Sequence, residues 1–179
     1  MALPQRIMIV GQPGSGKSTL ARRIGDVTGL PVIHIDRIHW QSGWVERSKA
    51  EKRRLCLETE AGERWIFEGG FSPTWPSRLR RADLLIWVDR PMGLRLWRVL
   101  RRALTQLGRT RPDMADGCPE RLSSLPEFAH YILTTGRSQR RRLGQLATSA
   151  TCQVERLRSD EEAAALVDRL RLAFATQSV

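Results

Sequence analysis

The chain has 179 residues, with 30 Lys or Arg against 19 Asp or Glu and a formal net charge of +11. Hydrophobic residues make up 41% and charged residues 27%, a composition that supports one domain with its own core and excludes a disordered chain. Only three of the basic residues are Lys (Lys17, Lys49 and Lys52), so the basic surface is an arginine surface, suited to phosphates, nucleotides or nucleic acid. Cys56, Cys118 and Cys152 are odd in number and widely spaced. They form no CxxC pair, which argues against a disulfide framework or a zinc ribbon and fits a reducing, cytoplasmic setting. The longest apolar runs, such as residues 84–88, are far shorter than a membrane span, so no membrane partner is expected. The first ten residues run directly into a strand, and no signal peptide is expected.

In chain order, residues 6–10 read as a buried strand ending at Gly11. Residues 17–28 read as a helix with Leu20, Ala21 and Ile24 on one face, stopped by Gly29 and Pro31. A second strand is expected over 31–35, ending at Asp36. A helix is expected over 48–61, opened by Ser48 with Glu51 three residues on. Strands follow over 64–67, before Glu68-Gly69-Gly70, and over 83–88, before Asp89. Residues 92–107 form a long Arg-rich helix, 108–125 are irregular, and 126–147 are mostly helical. A fifth strand over 151–157 and a last helix over 159–175, capped by Ser159 with Glu162 three on, complete the pattern. Strands alternating with helices imply an α/β fold whose parallel sheet is covered on both faces, with ligands beyond the carboxyl ends of its strands. Gly11, Asp36, Glu68 and Asp89 therefore share one rim.

The segment Gly11-Gln12-Pro13-Gly14-Ser15-Gly16-Lys17-Ser18 matches G-x-x-x-x-G-K-[ST] between a strand and a helix. Glycines let the backbone wrap an anion, and the helix N-terminus adds its positive dipole end. Gly11, Gly14, Ser15, Gly16, Lys17, Ser18 and Thr19 form the expected ATP-binding set. Lys17 is expected to reach the β- and γ-phosphates, and Ser18 to ligate Mg²⁺.

Three acids follow strands. Asp36 stands where a second substrate enters, to orient or deprotonate an acceptor hydroxyl or to hold metal-bound water. Glu68 is a candidate metal ligand. Asp89 precedes Arg90-Pro91, which reads as helix N-capping. Trp40 and Trp44, four apart, either stack on a flat acceptor or face the core, and His34 alternates inward as a structural residue. Arg95, Arg98, Arg101 and Arg102 lie on one helix, Arg109, Arg111 and Arg121 in the irregular stretch, and Arg137, Arg140, Arg141 and Arg142 on the next helix. This grouping reads as a lid bringing guanidiniums to a transferring phosphoryl group; nucleic-acid backbone contact is the competing reading.

Residues 7–23, 30–44 (LPVIHIDRIHWQSGW), 64–71 (RWIFEGGF) and 108–122 (GRTRPDMADGCPERL) carry a resemblance. The chain resembles the P-loop kinases related to adenylate kinase and shikimate kinase, and most of all the small bacterial adenylate-kinase-like group labelled "DNA topology modulation protein". The resemblance extends to about residue 142. It implies a three-layer P-loop NTPase fold with a five-stranded parallel sheet of order 2-3-1-4-5 and a helical lid. It also implies a single domain over 1–179, with an acceptor-side insert at about 36–62 and an Arg-rich lid at about 95–142. Counting from Pro91, Arg98 and Arg102 match the lid arginines of adenylate kinases. Glu68 stands where an Asp is usual in the group, and Gly70 where Asn is usual. The implied activity is transfer of the ATP γ-phosphate, with Mg²⁺, to a nucleotide or other small acceptor. Lys17, Asp36, Arg98, Arg102, Arg109 and Arg111 are the catalytic candidates, and Ser18 and Glu68 the metal candidates. The alternatives are an ATP-binding regulator on nucleic acid and an ATPase switch.

Overall fold

The computed structural model describes residues 3–176. Its main sheet has five strands: β1 (Arg6–Gly11), β2 (Val32–His34), β3 (Trp65–Glu68), β4 (Leu84–Val88) and β5 (Gln153–Leu157). Neighbouring strands are all parallel, in the order β2-β3-β1-β4-β5. Helices α1 (Lys17–Thr28), α2 (Ile35–His39), α3 (Lys49–Glu60), α4 (Trp75–Arg81), α5 (Met92–Thr105), α6 (Leu125–Thr148) and α7 (Asp160–Ala175) connect and cover them. The α/β class and the parallel sheet with helices on both faces are as the sequence pattern implies.

Alternation along β1 builds both layers of core. Ile7 and Ile9 face α1 and α7, among Leu20, Ala21, Ile24, Leu166 and Val167. Met8 and Val10 point the other way, into Trp65, Phe67, Leu79, Leu143 and Leu146. A strand with helices on both sides needs a continuous apolar run, and each such side chain contributes roughly 1.5–3 kcal/mol on burial. The caps follow local chemistry. The Ser48 and Ser159 hydroxyls accept from the backbone N–H of Glu51 and Glu162, and Gly29 closes α1 at φ 66°.

Two local expectations are corrected. The second strand stops at His34, and α2 begins at Ile35, so Asp36 lies in the first turn of a helix. Ile35 is drawn down against Gly69, where a Cβ would come within 2.1 Å of its Cγ2. Asp89 caps nothing: the residue before α5 is Pro91. Its buried carboxylate accepts instead from Arg140 (2.9 Å) and Arg156 (2.6 Å), tying α6 to β5. Long-range charge has overridden a local signal. The segment between α5 and α6 is irregular, as the sequence implies, and is knitted in. Bridges join Leu107 to Glu120 and Thr110 to Pro119, and Met114 and Cys118 are buried. Among the described residues no helix is long and apolar enough to cross a membrane.

Candidate active site

The carboxyl ends of β1, β2 and β3 open into a cleft of about 1560 Å³. Its floor is the loop between β1 and α1. Three glycines there are sterically required. A Cβ on Gly11 would lie 2.6 Å from the Val88 carbonyl oxygen, and one on Gly14, at φ +75°, 2.5 Å from that of Arg95. Gly16 has φ +95° and lies against the Arg98 guanidinium. The loop thus packs its glycines directly against β4 and α5, where side chains would collide. Ser15 Oγ is buried there and has no hydrogen-bond partner among the described residues. Lys17, Ser18 and Thr19, the first turn of α1, line the same wall, with N–H groups that have no intrahelical acceptor. Lys17 Nζ donates to the Gln12 carbonyl at 3.3 Å and stands 3.9 Å from Glu68 Oε1. This donor set fits a polyphosphate. The hydroxyl of Ser18 fits a hard cation that draws its remaining ligands from phosphate oxygens and water.

Four of the other candidate residues meet at this cleft. Arg98 donates to the Ser15 carbonyl at 3.0 Å and pairs with Asp160 at 2.5 Å, so it is locked against the loop. Arg102 Nε and Arg111 Nε approach Glu120 Oε1 at 2.9 and 2.8 Å as ion pairs whose angles close no hydrogen bond. Asp36 lines the same cleft with His39, Trp40 and Trp44. Burial and the nearby Glu68 carboxylate push its carboxyl up to about 6; Lys17 and Arg111 pull in the other direction. Arg109 is the exception: it is exposed and is not among the cleft-lining residues.

Glu68 is already engaged. His34 Nδ1 lies 2.9 Å from its Oε2, so the strand-end histidine and glutamate form a buried pair. Arg78, fully buried, supports the turn that follows: it donates to the Gly69 carbonyl and to Thr74 Oγ1 and stacks 3.8 Å from the centre of the Phe67 ring. Trp40 and Trp44 pack edge to face at 5.4 Å, both half-buried in the cleft wall, so neither is a plain core residue.

The segment following α5 crosses to the residues after α2. Gly43 N–H donates to the Gly117 carbonyl (3.0 Å), Trp44 Nε1 to the Pro119 carbonyl (3.1 Å), and Cys118 Sγ to the Gln41 carbonyl (3.2 Å). The contacting part of the insert is a two-stranded antiparallel pair, Trp40–Gln41 with Val45–Glu46, turned by Gly43 and by Trp44 at φ 66°. This closure carries two acids that the sequence pattern does not signal, Asp113 and Glu120. Asp113 is buried, accepts from Arg111 at 2.6 Å, and lines the cleft together with Ser18. Burial raises its carboxyl, but Arg111 and Ser18 outweigh this and hold it below the usual range.

Comparison with known proteins reaches the fold alone. The chain is similar to shikimate kinase from Bacteroides thetaiotaomicron, with a TM-score of 0.60 and 19% identity, covering 96% of this chain and 99% of that one. It is similar to shikimate kinase from Acinetobacter baumannii in complex with shikimate (TM-score 0.55, 15% identity, 99% and 96% covered). It is also similar to a sugar kinase from Janibacter sp. HTCC2649 (TM-score 0.52, 18% identity, 94% and 95% covered). No family model matches the chain, and no curated protein is significantly similar to it. The chain shares the fold of these solved structures.

Proposed function

We propose that the protein is an ATP-dependent phosphotransferase that moves the γ-phosphate to the hydroxyl of a small acceptor. The observation that carries this reading is the placement of Asp36, with a carboxyl near 6, in the same cleft as Lys17 and the glycine loop. A base with that affinity for protons is ionised at neutral pH and still able to accept one from an alcohol as it attacks. The proton passes from the acceptor oxygen to Asp36, the new P–O bond forms, and ADP leaves. Lys17 and Arg98 are held at the loop, and Arg102 and Arg111 line the same cleft. They supply positive charge where negative charge gathers on the transferred group. Mg²⁺, when bound with the nucleotide, supplies further neutralisation at the phosphates; Ser18 is the residue that would hold it.

The acceptor is a small molecule bearing a hydroxyl, a sugar-like alcohol or acid or a nucleotide. The likeness to shikimate and sugar kinases supports the former group, and the adenylate-kinase-like sequence resemblance supports the latter. An ATP-consumption screen across nucleoside monophosphates, nucleosides, sugars, shikimate and sugar acids tests the reading. One acceptor class that raises turnover well above the rate with water alone supports it; turnover indifferent to every acceptor favours an ATPase switch. The net charge of +11 supports a second reading, an ATP-binding regulator on nucleic acid of the topology-modulation kind. Useful affinity for DNA near physiological salt with a steep salt dependence would favour that reading.

A further inference from the structure

Helix α5 is apolar on two sides. Its inward side buries Val99 and Ala103. Leu94, Trp97, Leu100 and Leu104 recur at helical spacing on its outward side, where they are 36%, 59%, 40% and 62% exposed. Trp97 and Leu104 do not line the cleft, so this stripe belongs to another surface. The charge around it has one sign. Helix α5 contains no Asp or Glu. Arg98 and Arg102 are paired with Asp160 and Glu120. Arg101, on the outward side, and Arg109, just past the helix end, are exposed and have no carboxylate partner among the described residues.

We propose that the outward side of α5 docks on an anionic lipid surface, with Trp97, Leu100 and Leu104 at the boundary of the acyl chains and Arg101 at the phosphates. Charge complementarity selects this occupant. A second copy packed on the same face brings the same arginines, no acid from α5 to meet them, and another +11 of net charge. A bilayer carrying acidic headgroups supplies both the apolar layer and the negative charge. The side chains suit the boundary: an indole has an apolar body and one polar N–H, and an arginine stem lies along leucines while its guanidinium stays in water. The expectation of no membrane partner rests on the length of apolar runs, which bears on crossing a bilayer. A helix that lies on one needs only a stripe. The proposal is independent of the phosphotransferase reading.

The test is cosedimentation of the full chain with vesicles of phosphatidylcholine alone and of phosphatidylcholine mixed with phosphatidylglycerol. Wild type should bind the mixed vesicles, and bind those of phosphatidylcholine alone at least about tenfold more weakly. Trp97→Ser with Leu104→Ser should weaken binding to the mixed vesicles by roughly tenfold or more, because two apolar anchors are lost. Arg101→Gln should weaken it about fivefold, the effect of one charge near the surface. Leu172→Ser, at a 68% exposed position on α7, should bind as wild type does. Full binding by the Trp97 and Leu104 double variant, or an equal loss in Leu172→Ser, would mean adsorption by charge alone and overturns the proposal. Binding to neither vesicle leaves the face to a protein partner, and a wild-type dimer that the double variant abolishes assigns it to a second copy; both overturn it as well. If the double variant does not fold, Trp97→Phe gives a second measurement. Brominated acyl chains should quench wild-type tryptophan emission more than that of this variant, and equal quenching contradicts the docking.

Discussion

Trp44 donates its indole N–H to the Pro119 carbonyl at 3.1 Å, so the hairpin after α2 and the segment after α5 are joined directly. Together with the Gly43–Gly117 and Gln41–Cys118 contacts, this makes the two flaps one mechanical unit. Trp44→Phe keeps the ring and removes the donor. The loss of one neutral hydrogen bond, about 0.5–1.5 kcal/mol, should speed amide exchange over both 40–46 and 116–120. Faster exchange in only one segment would show that they open independently.

Asp89 should act as a stability residue and not as a site residue. Arg140 and Arg156 hold its carboxyl below the ordinary range against the opposing effect of burial. For an acid with a depressed folded-state pKa, the stabilisation is complete above the unfolded-state value and is lost as pH falls through the folded-state value. Asp89→Asn should therefore cost about 1.5–3 kcal/mol at neutral pH, in the range for hydrogen bonds to charged groups. The gap between wild type and variant should close in strong acid. Chemical denaturation across pH measures this, and nucleotide affinity at neutral pH should be unchanged.

Much of the fold was legible because its signals are local. Apolar runs marked the strands, Ser48 and Ser159 marked helix starts, and the glycine loop appeared in full. Where the reading missed, partners distant in sequence decided. Asp89 looked like a cap beside Pro91, but Arg140 and Arg156 claimed it. The second strand ended early because Ile35 was needed under Gly69. Asp113 and Glu120 gave no signal, since their partners Arg102 and Arg111 come together only on folding. Arg109 shares the composition of its neighbours, yet it is exposed and outside the cleft lining.

Asp36 should trade stability for chemistry. Its folded-state pKa is raised to about 6, so the group favours folding in its protonated form, fully so below the unfolded-state value. That contribution disappears as pH rises through the folded-state value, and the buried charge then weighs against the fold. Asp36→Asn should consequently melt higher than wild type at neutral pH, with the difference vanishing in acid. An unchanged or lower melting temperature at neutral pH would mean that the carboxylate has a stabilising partner in solution.

Gly14→Ala should damage the nucleotide loop specifically. The new Cβ meets the Arg95 carbonyl oxygen at 2.5 Å, and the backbone there is left-handed at φ +75°. A left-handed non-glycine residue costs roughly 1–2 kcal/mol before the clash is counted. Calorimetry should show ATP affinity lowered at least tenfold, since one factor of ten corresponds to about 1.4 kcal/mol. Unimpaired ATP affinity would contradict the cradle.

The most direct measurement is acceptor-dependent phosphoryl transfer from radiolabelled ATP in Asp36→Asn, beside ATP affinity in the same variant. The account predicts that transfer falls by roughly 10²-fold or more, the scale of general-base effects. ATP affinity should scarcely change, because the cradle belongs to the loop after β1. Transfer at the wild-type rate, or equal loss of ATP binding and transfer, would contradict the assignment of Asp36 as the base of an ATP-dependent phosphotransferase.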